Sequence, residues 1–426
     1  ITPEMHRDYL AVNIEGTGDY EGILKRGSER IGLNSQTVGG GNTTPIIISN
    51  AGINTLLAQG YVPIASLEDM QAIESTNSHE FAKGTNLALT TAGGLHKNYV
   101  VIRDIDLSTS MTFSTSLVKG IFTGTFNGNG YTLSNLSLDT TASNIGLFSQ
   151  LSGASIQNVS LTAFNMTGGG VFGALSGKVV GNAHTLIDNV KVINSTIISE
   201  STEVGGFVGN NSSSLTINNS YFSGFIKGIS VLGGFVGLNG GTITMTSVTN
   251  DANIESLYGA SGGILGRNTG STFIKNATND GQITSRTGGN ANGVGGIIGN
   301  VYSNGEITVI ESSNHGDLIV SGKGIYVGGI VGNVFLSNPN LILVNVINSG
   351  TLRANLVGGY AKAGGLFGGF SNAAVNPNPI EIVNSINVGS LTGSGTLATI
   401  SHNEGSISLS AVFHISKNGI DILSGS

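Results

Sequence analysis

One short block, glycines flanking two apolar residues, returns eight times along the chain and limits it to a repeat architecture. The copies begin with Gly146-Leu147-Phe148-Ser149 and Gly170-Val171-Phe172-Gly173. They continue as Gly205-Gly206-Phe207-Val208-Gly209, Gly233-Gly234-Phe235-Val236-Gly237 and Gly262-Gly263-Ile264-Leu265-Gly266. The last three are Gly295-Gly296-Ile297-Ile298-Gly299, Gly328-Gly329-Ile330-Val331-Gly332 and Gly364-Gly365-Leu366-Phe367-Gly368. Steps between the glycines before the apolar pair run from 24 to 36 residues.

A second element follows the later copies in fixed order. It reads Asn250-Asp251, Asn279-Asp280-Gly281, Asn314-His315-Gly316, Asn348-Ser349-Gly350 and Asn387-Val388-Gly389, each 16 to 22 residues behind its block. Between the two lie alternating runs such as Thr242-Ile243-Thr244-Met245-Thr246 and Glu306-Ile307-Thr308-Val309-Ile310. Period-2 alternation rich in β-branched residues predicts strands. The Asn-x-Gly clusters are expected to supply turns, since Asn and Gly tolerate left-handed backbone angles. Each unit then reads as about three short strands, and a unit of this size buries a core only when stacked on its copies. The predicted fold is an all-β, parallel β-solenoid. Glycines at the block ends are read as corners or as close approaches between coils.

The block resembles the GLUG motif of bacterial surface adhesins and some secreted peptidases, over about residues 145–390. The resemblance implies a right-handed parallel β-helix used as a stalk or adhesive shaft. The first copy departs from the pattern at Ser149, and the second is followed by Asn194-Ser195-Thr196 in place of Asn-x-Gly.

Four segments are expected. Residues 1–60, with a charge cluster from Glu21 to Arg30, read as a linker or a subunit-exchange arm. Residues 61–140 read as the N-terminal cap and first coils, with a short capping helix from an N-cap at Ser66 through Ile73. Strands are predicted at Tyr99–Leu107 and on either side of Asn127–Gly130. Residues 141–395 form the repeat solenoid. Residues 396–426 close or extend it, with an Asn418-Gly419 hairpin.

Composition narrows the function. Of 426 residues 67 are Gly and 45 are Asn; charged residues are 10%, Cys and Trp are absent, and net charge is −7. Collagen is excluded by the missing triplet period and the 6 prolines. Disulfide and thiolate-metal chemistry needs Cys. No apolar run is long enough for a membrane-crossing helix, and no basic block suits nucleic acid.

The search for chemistry assigns no catalytic, cofactor-binding or metal-binding residue, and no cofactor. Acidic residues in the repeats are scattered. Asp251 and Asp280 occupy equivalent positions and are read chiefly as turn residues. Asp104 and Asp106 share one strand face, where local hydrogen bonding outweighs Ca²⁺ binding. Gly259-Ala260-Ser261-Gly262-Gly263 matches a nucleophile elbow only formally, because it runs into a repeat block. Thr242, Thr244 and Thr246 resemble one rung of an ice-binding face, but the next unit offers Thr272, Phe273 and Ile274. The expected role is therefore a non-enzymatic, extracellular adhesin shaft or filament subunit. Its expected partners are further copies of itself, glycans or host surface proteins. A carbohydrate-active β-helix enzyme is the alternative, and carboxylates clustered on adjacent coils would distinguish it.

Overall fold

A computed structural model describes residues 50–423 apart from 201–202, 288–291, 303–304, 336–339, 358–361, 371–379, 395, 401–406, 411 and 417–418. The described chain is a parallel β-solenoid of about eight turns. One column of stacked strands shows the construction. Thr125–Asn127 pairs with Ser155–Thr162, which pairs with Thr185–Ser199, then Ser214–Gly228, Thr242–Ser256 and Ser271–Asn279. The column continues through Glu306–Ile310, Asn340–Val344 and Ile380–Val383 to Ile407–Ser410. Every pairing in it is parallel.

Later coils are built of short strands as expected, whereas three coils carry a 15-residue strand, Thr185–Ser199, Ser214–Gly228 and Thr242–Ser256. Glu203–Gly205 and Val208–Asn211 flank the glycine block, and the 15-residue strand Ser214–Gly228 wraps the rest of the section. That long strand bends at Asn219, which adopts φ 49°. The same corner on other coils holds Asn158, Asn189, Ser247, Asn276, Glu311, Asn345 and Asn384, all with positive φ. Asn is over-represented there because its short polar side chain tolerates the left-handed region.

The Asn-x-Gly clusters do something else, which corrects the sequence reading. Asn250, Asn279, Asn314, Asn348 and Asn387 do not have positive φ, and their side chains are fully buried. The expectation of left-handed turns there fails because the side chains point inward and satisfy one another. Their glycines serve close packing: a Cβ on Gly316 would lie 2.0 Å from the Gly281 carbonyl oxygen.

One apolar core runs the length of the solenoid, from Val62 to Ile382. A single inward column contains Phe126, Ile156, Ile187, Ile217, Met245, Ile274, Val309, Leu343 and Ile382, all with no solvent exposure. Alternation along each strand places these residues inside and their neighbours outside.

At the N-terminal end, helix α1 (Asn50–Ala58) precedes helix α2 (Leu67–Ala72). The first had no signal in the sequence reading. Ser66 caps the second, its hydroxyl accepting from the Asp69 amide at 3.1 Å, and Met70 and Ile73 enter the core. The buried Asp69 carboxylate accepts from the amides of Ala65 and Ala82 at 2.8 and 3.0 Å and contacts His79 Nε2 at 2.8 Å. It thus ties α2 to the antiparallel hairpin of Ser78–Phe81 and Leu89–Ala92. The strand expected over Tyr99–Leu107 is two, Tyr99–Val101 and Ile105–Asp106.

At the C-terminal end, Ile407–Ser410 and Val412–Ser416 add to the parallel stack. Gly419–Leu423 then folds back antiparallel on Val412–Ser416, with Ser416 opposite Gly419. The hairpin therefore joins one solenoid strand to one reversed strand.

Candidate functional site

Two recurring sequence features meet inside the coil. The block glycine and the ladder asparagine of the same unit lie against each other. A Cβ on Gly234 would approach Asn250 Cγ to 2.6 Å, and on Gly263 it would approach Asn279 Cγ to 2.3 Å. Gly296 faces Asn314, Gly329 faces Asn348 and Gly365 faces Asn387 in the same way. The side-chain amides then form a ladder along the axis. Asn250 Nδ2 donates to Asn279 Oδ1 at 2.7 Å, Asn279 to Asn314 at 2.7 Å, Asn314 to Asn348 at 2.8 Å and Asn348 to Asn387 at 2.7 Å. Each Nδ2 also donates to the carbonyl two residues on, as Asn314 does to Gly316 at 3.0 Å. A shorter ladder joins Asn211, Asn239 and Asn268, again at 2.7 Å. Below Asn250 the first column turns apolar, with Phe222, Val192 and Leu161 in register.

Outside that ladder, ionisable and hydroxyl groups line up on successive coils. Tyr221 is in register with Lys191, and its hydroxyl donates to Asp251 Oδ2 at 2.9 Å. The residue after each of the first four ladder asparagines supplies the next rungs, namely Asp251, Asp280, His315 and Ser349, and the lane ends at Val388. The amides of Asp280, His315 and Ser349 donate to the carbonyls of Asn250, Asn279 and Asn314, one coil back. His315 Nδ1 contacts Ser349 Oγ at 2.6 Å. Asp251, inside the strand Thr242–Ser256, and Asp280, directly after Ser271–Asn279, are therefore stacked neighbours on successive coils, where the sequence reading placed turn residues.

This lane has a distinct electrostatic character. Crowding by adjacent coils desolvates the Asp280 carboxyl and the Asp251 carboxylate repels it, which together push its pKa up to about 6. Asp280 nonetheless keeps one side open to water, so the energetic weight of the shift is modest. Desolvation, then the bond to Asp251, pushes the Tyr221 hydroxyl up to about 12. Desolvation lowers the pKa of both Lys191 and His315. Chemically the lane offers donors and acceptors at the coil spacing of about 4.8 Å, suited to hydrogen bonding with an extended polar chain.

The other singled-out residues are engaged locally. Asp104 Oδ1 accepts from the Thr132 amide at 2.8 Å, and Asp106 Oδ1 accepts from the Ser108 amide and Asn135 Nδ2, both at 3.0 Å. Those hydrogen bonds hold the Asp106 pKa below its ordinary value. Thr244 and Thr246 are followed one coil on by Phe273 and Lys275, so the Thr row does not extend. Among the described residues no group of three His, Asp or Glu is placed to hold a metal, and no helix is long and apolar enough to cross a membrane. The ladder asparagines themselves carried a sequence signal, their fixed order 16 to 22 residues behind the glycine block, but that spacing did not disclose the contact.

No protein-family model matches the chain. Part of it is similar to Halomucin of Haloquadratum walsbyi, at 30% identity over 160 residues. The match covers 34% of this chain, and the chain spans 2% of that protein's length. A β-solenoid with this partial similarity is compatible with a structural or surface role.

Proposed function

We propose that the chain is a non-enzymatic, extracellular structural element, either the shaft of a surface adhesin or the subunit of a surface filament joined through its termini. The observation that carries this reading is the continuity of the stack. The apolar core and the asparagine ladders run along the axis, so load applied lengthwise is shared among many in-register hydrogen bonds. In the adhesin version, a member of the GLUG-repeat surface proteins, the lane from Lys191 to Ser349 is the face that contacts a glycan or a host protein. Negative-stain microscopy of the full chain with sedimentation tests the proposal. Long regular fibres mark a filament subunit, and deletion of residues 1–50 then abolishes them while the fold survives. Single rods mark a shaft, and glycan binding that drops on Asp251→Ala assigns the adhesive face. Globular particles with neither property defeat both versions.

The stacked carboxyl groups favour a second reading, a carbohydrate-active enzyme. Asp251 and Asp280 lie on adjacent coils, and Asp280 is displaced toward the range of a general acid. Release of reducing ends from polysaccharide, abolished by Asp280→Asn, is the result that reading requires.

A further inference from the structure

The two ends of the solenoid treat their strand edges differently. At the N-terminal end the outermost parallel strand is Val62–Ile64, paired with Tyr99–Val101. The Val62 amide donates to Asn98 O, and Ile64 O accepts from Ile102, so both residues turn their groups toward that partner. Residue 63 then faces the open side, and it is proline, which has no amide to offer. Pro63 therefore blunts this edge against direct coil-on-coil docking.

Among the described residues, the opposite end carries no such device. Ile407–Ser410 pairs on one side with Ile380–Val383, and among the described residues nothing pairs with its outer side. The reversed strand Gly419–Leu423 covers only Val412–Ser416. This open-edged strand reads Ile-Ser-Leu-Ser, with no proline or charge, and an edge of that kind invites another strand.

The N-terminal 49 residues, outside the described residues, contain a segment with the required pattern. Leu10-Ala11-Val12-Asn13-Ile14-Glu15 alternates apolar with small or polar residues. Laid parallel to the open edge, Leu10 meets Ile407, Ala11 meets Ser408, Val12 meets Leu409 and Asn13 meets Ser410. Ile407 and Leu409 are the register partners of the fully buried Ile380 and Ile382, so Leu10 and Val12 would extend the two apolar columns by one rung. The chain's own arm begins at the opposite end, before Asn50, and would have to span the whole shaft before turning across the axis to pair. A coaxially stacked copy can supply the segment across the junction without that path.

We propose that residues 10–15 of one copy add as a parallel strand to the Ile407–Ser410 edge of a second copy, making the joint of a head-to-tail filament. This deepens the filament version of the proposed function and rests on it. The absence of native cysteine makes a cross-link test clean. In the full chain carrying Val12→Cys and Leu409→Cys, a strand spacing of about 4.8 Å lies within disulfide reach. The expected result under oxidation is a ladder of covalent oligomers, with little from Ala11→Cys and Leu409→Cys. Leu10→Asp with Val12→Asp should reduce sedimenting polymer by more than about tenfold, since two buried apolar side chains become charged. Circular dichroism checks that the solenoid remains folded. Fibres that form without the cross-link and survive the double Asp change overturn this joint and leave the filament reading intact. Monomers under every condition overturn both, and a cross-link confined to monomers overturns exchange between copies.

Discussion

The asparagine ladder sets distinct roles for chemically identical residues. Every Nδ2 donates toward the C-terminal end, so the amides form one directional hydrogen-bonded chain that polarises cooperatively. Asn314 sits in the middle, and Asn314→Ala takes the ladder partner from one Asn279 Nδ2 hydrogen, whose other hydrogen stays on Gly281 O, and from Asn348 Oδ1. At about 1–3 kcal/mol for each buried group that loses its partner, the expected loss is about 2–6 kcal/mol. Asn250 sits at the end, above Phe222, and Asn250→Ala orphans one ladder neighbour, so it should cost about half as much. Denaturant unfolding of the two variants measures the difference; equal losses would show that the ladder does not act as a chain. The lane outside behaves oppositely to most carboxylates. Because the Asp280 pKa is raised, the folded state holds its proton more tightly than the unfolded one. Its contribution to stability is present near pH 4 and is lost as pH rises through about 6. Lowered His315 works the other way, weakening the fold as pH falls below the ordinary histidine range. Asp280→Asn should therefore raise the melting temperature at pH 7 and not at pH 4. The gain is below about 1 kcal/mol, because water screens the pair. A variant whose melting temperature tracks the parent at both pH values contradicts the assignment.

At the scale of elements, the glycine block and the Asn-x-Gly cluster are two halves of one contact. Adding a methyl group at Gly263 would bring it 2.1 Å from Gly296 O and 2.3 Å from Asn279 Cγ. Backbone stands on one side and a buried amide on the other, so neither yields. Gly263→Ala should cost about 1–3 kcal/mol or more by overpacking. Gly169, with nothing within 4 Å of an added Cβ, is the matched control and should tolerate Ala. Thermal melts of the pair decide the point. The same contact explains how much of the fold was legible. Stacking was readable because the glycines recur in step and the strands alternate. Cap α2 was readable because Ser66, Leu67, Met70 and Ile73 announce a helix start and its inward face. The inward turn of Asn250, Asn279, Asn314, Asn348 and Asn387 was not, because Asn is equally at home in a left-handed corner, and Asn276, Asn345 or Asn384 takes that role on the same coils. Local preference cannot separate the two uses; the neighbouring coil does. The Asp251–Asp280 stacking was visible as repeat equivalence, while Tyr221 was missed because its partner lies 30 residues away.

For the whole molecule, stability resides in contacts between adjacent coils, so the coil is the natural unit of change. Asn250 and Asn279 are 29 residues apart and occupy one position on successive coils. Removing residues 251–279 joins Asn250 to Asp280 and preserves the order of inward and outward positions. The column of Ile217, Met245 and Ile274 loses one member, and the ladder loses one amide. The shortened chain should fold with the same far-ultraviolet β signature and form a rod about 4.8 Å shorter. Removing only 251–272 joins Asn250 to Phe273 instead. That junction sets a bulky residue where Asp251 stood and puts the remaining half-strand out of step with both neighbours. A slipped register turns inward side chains outward, so this chain should lose cooperative unfolding. Calorimetry on the two deletions separates the possibilities. If the full-coil deletion melts as broadly as the partial one, the solenoid is a single indivisible unit, and a shaft lengthened or shortened by whole coils is excluded.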